Sequence, residues 1–178
     1  TLDLSAQCKD RGTVDFSSEL VVQLSPDGTD PLDPSTSTVS AESAQAQCSS
    51  STAICVVPPN LRLVMSSSLN VPALIVRGEL YWRDTDQGSA EQWLCGGYIA
   101  VEDGGKFIMN LQDPTKRAWV YIKDNGATHP IGRQRFFGSA VPHPFPSGLA
   151  ATPIVEISGR EMVRTWSLLS APLLEGEN

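Results

Sequence analysis

Apolar residues fall along this chain in short bursts, separated by Gly, Asp and Pro rather than spaced in the three- and four-residue rhythm of an amphipathic helix. From Ile54 onward the bursts occupy residues 54–57, 61–65, 73–76, 80–82, 98–101, 106–109, 118–122, 154–157 and 165–169. Each has the length and the β-branched or aromatic content of a strand. Residues 19–24 (ELVVQL) read the same way. Between the bursts stand Arg77-Gly78-Glu79, Glu102-Asp103-Gly104-Gly105, Asp124-Asn125-Gly126 and Ser158-Gly159-Arg160, where glycine supplies the positive φ of a sharp corner. No stretch beyond Pro58 carries a helical period. The pattern predicts an all-β chain.

Residues 25–51 break the pattern. Ser, Thr, Asp, Pro and Ala dominate, and Asp30-Pro31 and Asp33-Pro34 set turns while offering little apolar surface to pack. We expect a long surface loop here, with one or two helical turns between Ser40 and Ala46. The chain then divides into residues 1–53, an N-terminal strand and Ser/Pro-rich loop packed on the core, and residues 54–178, the strand-rich domain.

Two architectures produce this punctuation: a sandwich or barrel of antiparallel hairpins, and a solenoid whose strands stack in parallel. The glycine corners at 78, 104/105, 126 and 159 recur at roughly 20 to 35 residues, the length of one or two solenoid coils. Ala73-Leu74-Ile75-Val76 is apolar throughout, as befits a strand covered on both faces. Spacing leans toward the solenoid.

Composition narrows the partners. The chain has 178 residues, enough for one core, and a formal net charge of -7 with 13 Lys and Arg scattered singly. Nothing in it matches the basic footprint that nucleic acid requires, and anionic membrane is an equally poor match. No apolar stretch approaches the ~20 residues of a membrane helix, so a membrane-spanning chain is not expected. Residues 1–20 carry no leader pattern, so an exported form would begin after its signal was removed. The four cysteines, Cys8, Cys48, Cys55 and Cys95, are even in number and lack metal spacing, which predicts two disulfides in an oxidising compartment, secreted or lumenal. Three connectivities remain open.

Several segments, in order, resemble the G8 domain of extracellular, polysaccharide-associated proteins. Val56-Val57-Pro58-Pro59-Asn60-Leu61-Arg62-Leu63-Val64-Met65 followed by Val71-Pro72-Ala73-Leu74-Ile75-Val76-Arg77-Gly78-Glu79-Leu80-Tyr81-Trp82 is similar to its opening strands. Tyr98-Ile99-Ala100-Val101-Glu102-Asp103-Gly104-Gly105-Lys106-Phe107 resembles its double-glycine turn. Ala118-Trp119-Val120-Tyr121-Ile122, Phe136-Phe137-Gly138-Ser139-Ala140-Val141, Ile154-Val155-Glu156-Ile157-Ser158-Gly159-Arg160 and Thr165-Trp166-Ser167-Leu168-Leu169 continue the series over about residues 54 to 175. The resemblance implies the first coils of a right-handed parallel β-helix with a long N-terminal loop. It also implies kinship with hyaluronan-binding and hyaluronan-degrading cell-surface proteins and fibrocystin-type receptors. Departures from the pattern are an inserted loop at residues 87–94, a Pro-rich segment at 142–153, and a chain that stops soon after the final Trp motif.

Candidate chemistry is sparse. Asp84, Asp86, Glu102 and Asp103 cluster at corners where stacked coils would bring carboxylates together, as a glycosidic acid and base pair or as oxygen ligands of the kind Ca²⁺ takes. Acidic residues before glycine are also ordinary turn formers. Trp93, beside Glu91 and Gln92 in the inserted loop, is the tryptophan expected to be partly exposed and to stack on a sugar ring. No nucleophile elbow, phosphate loop, dinucleotide fingerprint or zinc spacing occurs, and no cofactor is expected. The sequence therefore predicts a non-catalytic extracellular or lumenal module that docks to a protein partner or a polysaccharide. The alternatives are a fragment of a glycan-cleaving enzyme using Asp86 with Glu102 or Asp103, and a structural subunit of an assembly or fibre.

Overall fold

The computed structural model describes Cys8 and residues 20–102, 104–122, 136–139 and 152–159. Strand β1 (Leu20–Gln23) is followed by a hairpin of β2 (Gly28–Asp30) and β3 (Asp33–Ser40) and by helix α1 (Ala41–Gln47). Then come β4 (Ala53–Val57), β5 (Leu61–Val64) and β6 (Leu69–Asn70), followed by β7 (Ala73–Val76), β8 (Glu79–Arg83) and β9 (Glu91–Gly96). The last described strands are β10 (Tyr98–Val101), β11 (Lys106–Leu111), β12 (Arg117–Ile122), β13 (Phe136–Ser139) and β14 (Ile154–Gly159). They form three sheets, ordered β1-β4-β7-β10-β13, β14-β11-β8-β5-β3-β2 and β12-β9-β6. From β4 onward the chain visits the three sheets in fixed rotation. Among the described residues every pairing is parallel except β2 with β3. The fold is all-β with parallel sheets, and a sandwich of antiparallel hairpins is excluded.

Register explains why the sheets differ. In the first, Cys55, Leu74, Ile99 and Phe137 stand side by side and point into the main core, while Ile54, Ala73 and Tyr98 stand side by side on the other face. That second row, with Val56, Ile75 and Ala100, is itself a buried cluster. Both faces are covered, which is why Ala73-Leu74-Ile75-Val76 shows no alternation. The second sheet alternates. Leu63, Leu80 and Phe107 line up inward and are fully buried, and Arg62, Glu79 and Lys106 line up outward between them. Phe107 meets Phe137 of the first sheet edge to face, with ring centres 5.1 Å apart.

Corners joining the first sheet to the second stack directly. The Lys106 amide donates to the Gly78 carbonyl at 2.8 Å and the Ile154 amide to the Gly105 carbonyl at 2.9 Å. A Cβ on Gly78 would run into the carbonyl oxygens of Pro58 and Leu61, and one on Gly105 into that of Val76. These two glycines are required by close approach rather than by φ. Positive φ falls instead on Asn60, at 66°, and on Gly104, at 79°. Gly159, expected at a corner, closes strand β14. The Asp124-Asn125-Gly126 corner and the 165–169 strand lie outside the described residues.

Two segments read as loops are ordered elements. Residues 25–51 hold the β2–β3 hairpin and α1, because β3 needs only main-chain bonds to extend the second sheet along β5, and its polar side chains do not oppose that. Val39, Ala41, Ala44 and Cys48 then join the main core. Ser40 caps α1, its hydroxyl accepting the Ser43 amide at 3.2 Å. The helix covers the positions anticipated for it. Within residues 87–94, taken as an inserted loop, β9 begins at Glu91 and pairs with both β6 and β12.

Candidate docking face

The outward row of the second sheet carries most of the ion pairs among the described residues. Arg62 on β5, Glu79 on β8 and Lys106 on β11 are neighbours by register. Arg62 donates to Glu79 from Nε at 2.9 Å and from Nη2 at 2.7 Å, and Lys106 Nζ donates to the same carboxylate at 2.9 Å. Nη1 of Arg62 turns to Asp30, the last residue of β2, whose carboxylate is wholly buried. Arg83 reaches Asp30 at 3.6 Å and Asp86 at 2.6 Å. The Tyr81 ring lies under both guanidinium groups, 4.1 Å from that of Arg62 and 5.5 Å from that of Arg83.

These contacts set protonation. The Leu32 amide holds the Asp30 carboxyl below its ordinary value, and Arg62 and Arg83 reinforce it against burial. Burial pushes Glu79 upward, but the bonds from Lys106 and Arg62 outweigh it and leave it lowered. The Glu79 bond raises Lys106 in turn. At neutral pH the row is therefore fully charged and internally paired. Beside it opens a cleft of ≈ 520 Å³, bordered by Thr36, Asn60, Arg77, Glu79 and Lys106.

Of the acidic residues singled out in the sequence, the described ones, Asp84, Asp86 and Glu102, are not gathered at this cleft or at one common point. Asp84 accepts the main-chain amides of Gln112 at 2.5 Å and Asp113 at 2.8 Å, which ties the turn after β8 to the one after β11. Asp86 is held by Arg83. Glu102 is buried beside Arg77, 3.8 Å away, and its charge together with burial pushes the Tyr98 hydroxyl up to about 12, burial being the larger cause. Asp103 lies outside the described residues. Asp86 and Glu102 sit at opposite ends of the second sheet, separated along the strand direction by the five residues of β8. At about 3.3 Å per residue that is ~16 Å, well beyond the ~5 to 9.5 Å of a glycosidase carboxylate pair. Among the described residues no three His, Cys, Asp or Glu side chains converge in a way that could hold a metal ion.

Trp93 is not exposed as expected. It retains 4% of its surface, because it belongs to strand β9 and stacks on Trp119, with ring centres 5.3 Å apart and planes 11° from parallel. Cys8, bonded to Cys95, packs beside it. The second disulfide joins Cys48 to Cys55. Two disulfides fit an oxidising compartment, and no helix among the described residues is long and apolar enough to cross a membrane. Sequence reasoning overlooked Asp30, Arg62, Glu79, Tyr81 and Lys106. For Arg62, Glu79 and Tyr81 a signal was present in LRLV at 61–64 and ELYWR at 79–83, where polar residues stand between apolar ones.

No protein-family model, curated protein or solved structure matches the chain.

Proposed function

We propose that this chain is a non-catalytic binding module of a secreted or lumenal setting, built as the opening coils of a right-handed β-solenoid of the G8 type. Through the outward face of its second sheet it docks to a protein partner or a polysaccharide. The rotation of the chain through three parallel sheets supports the solenoid, and crossovers between parallel strands are right-handed in about 98% of cases. The collinear motifs support the G8 reading. One observation carries the docking face: Arg62 lies over Tyr81 and, like Lys106, is bonded to Glu79 beside a cleft, so a ligand meeting this row loses little side-chain freedom on binding. A screen of neutral and acidic glycans, run with a pull-down from the source membrane or matrix, tests it. At least one ligand should bind the wild type and be lost in Tyr81→Ala; blanks in both assays would remove the proposal.

A second reading, a structural subunit of a larger assembly, is favoured by β14. Ile154 is 45% exposed and Ile157 58%, on a strand paired among the described residues with β11 alone. A monomeric mass in dilute solution speaks against it.

A further inference from the structure

The outward face of the second sheet has another opening, at the far end of the strands from Gly78. A pocket of ≈ 230 Å³ lies between the β2–β3 hairpin and the end of β8, bordered by Asp27, Pro31, Thr38, Val64, Arg83 and Asp86. It is smaller than the ~300 to 1,000 Å³ of a site for a drug-sized ligand, so it fits one side chain rather than a run of sugars. Pro31 and Val64 give it apolar wall. Thr38 gives it a buried polar group: the residue keeps 7% of its surface and shares the outward face with Arg62, its partner in register. The Thr38 hydroxyl has no hydrogen-bond partner among the described residues, and Gly28, opposite it across the hairpin, brings no side chain over it. A buried polar group without a partner is unfavourable, and an incoming donor relieves it.

Charge on this face is balanced except at this pocket. Arg62, Arg83 and Lys106 are matched by Asp30, Glu79 and Asp86. Asp27 joins no ion pair among the described residues. Ser40 holds its carboxylate instead, the hydroxyl donating at 2.6 Å and the amide at 3.1 Å. Burial pushes the Asp27 carboxyl upward, but these bonds outweigh it and leave it lowered, so it is charged at neutral pH. A carboxylate has about four acceptor positions, and room for another donor remains. Asp27 and Thr38 are neighbours, since the Asp27 amide donates to the Thr38 carbonyl at 2.9 Å. An unpaired carboxylate beside apolar wall suits a cation on an aliphatic stem, and a net charge of -7 favours its approach. A guanidinium fork needs both carboxylate oxygens, and Ser40 already engages both, whereas an ammonium is a point donor.

We infer that this pocket receives a lysine side chain of a partner protein, its stem along Pro31 and Val64 and its ammonium bonded to Asp27 and the Thr38 hydroxyl. This rests on the docking-face reading above. The test titrates the isotope-labelled chain with the peptide acetyl-Gly-Lys-Gly-amide and with its norleucine counterpart, following the Val64 methyls and the Thr38 and Ser40 amides by NMR. The Lys peptide moves these signals and binds about tenfold more tightly than the norleucine peptide, roughly the factor that one hydrogen bond to a charged group supplies. Asp27→Asn, with the rest of its spectrum unchanged, erases that preference, and Val64→Phe weakens both peptides by narrowing the pocket. Equal binding of the two peptides, no movement at Val64 up to tens of millimolar, or a preference that survives Asp27→Asn overturns the inference. If a glucosamine oligosaccharide moves Val64 and the Lys peptide does not, the lysine inference fails and the docking face stands. The docking-face reading fails separately, if every ligand from the screen binds Tyr81→Ala as it binds the wild type.

Discussion

The first and second sheets run side by side through the same layers of the fold, yet they solve opposite problems. In the first, Ile54, Ala73 and Tyr98 on one face are buried as deeply as Cys55, Leu74 and Ile99 on the other. In the second, only the inward row is apolar, and the outward row is a paired set of charges over an aromatic ring. Stability is concentrated where both faces are dry. Recognition chemistry is available only where one face is left outward, because charged side chains are tolerated there once each has a partner.

The largest expected effect tests the dry sheet. Leu74→Ala removes a fully buried side chain from the middle of the first sheet and should cost about 3 to 5 kcal/mol in denaturant unfolding. A loss below ~1 kcal/mol would mean that the first sheet is not the stability centre. Next comes the hinge between the two sheets. Gly105→Ala drives a Cβ into the Val76 carbonyl and should cost roughly 2 to 4 kcal/mol, read in the same assay. On the outward face, Arg62→Ala strips the buried Asp30 of its main partner, with Arg83 still nearby, and should cost about 2 kcal/mol. An Arg62→Ala, Asp30→Asn double variant should recover part of that loss, which separates an unpaired charge from lost packing.

The smallest effect is on pH dependence. Asp30 and Glu79 are both lowered in the fold, so the stability they contribute is fully present above their unfolded values near 4 and is lost as pH falls through their folded values. Thermal midpoints should stay level from pH 7 to about 5 and decline below about 4. Asp30→Asn should show a shallower decline. An unchanged acid slope in that variant would detach the Asp30 pair from stability.

Strand content was legible because bursts such as ALIV at 73–76 and YIAV at 98–101 have no other way to bury so much β-branched surface in four residues. The helix after Ser40 was legible for a local reason too, a hydroxyl cap followed by Ala-rich residues. The β2–β3 hairpin was not, since a polar strand announces itself only through the neighbour it pairs with. Trp93 was misplaced for a related reason: its polar neighbours Glu91 and Gln92 say nothing of Trp119, which follows a whole circuit later and closes over it.

Sequence alone determined the strand-forming segments, the presence of glycine at the corners around Gly78 and Gly105, and a cysteine count suited to two disulfides, all of which depend on local pattern and composition; that those two glycines are needed because carbonyls of the preceding coil press against them was decided by the tertiary structure. Tertiary structure alone decided which cysteines pair, which of several acidic residues meet a cation, and that Arg62, Glu79 and Lys106 form one row. The physical reason is register: parallel stacking sets side by side residues separated by an entire circuit of the chain, such as Arg62, Glu79 and Lys106, and no local pattern encodes that distance.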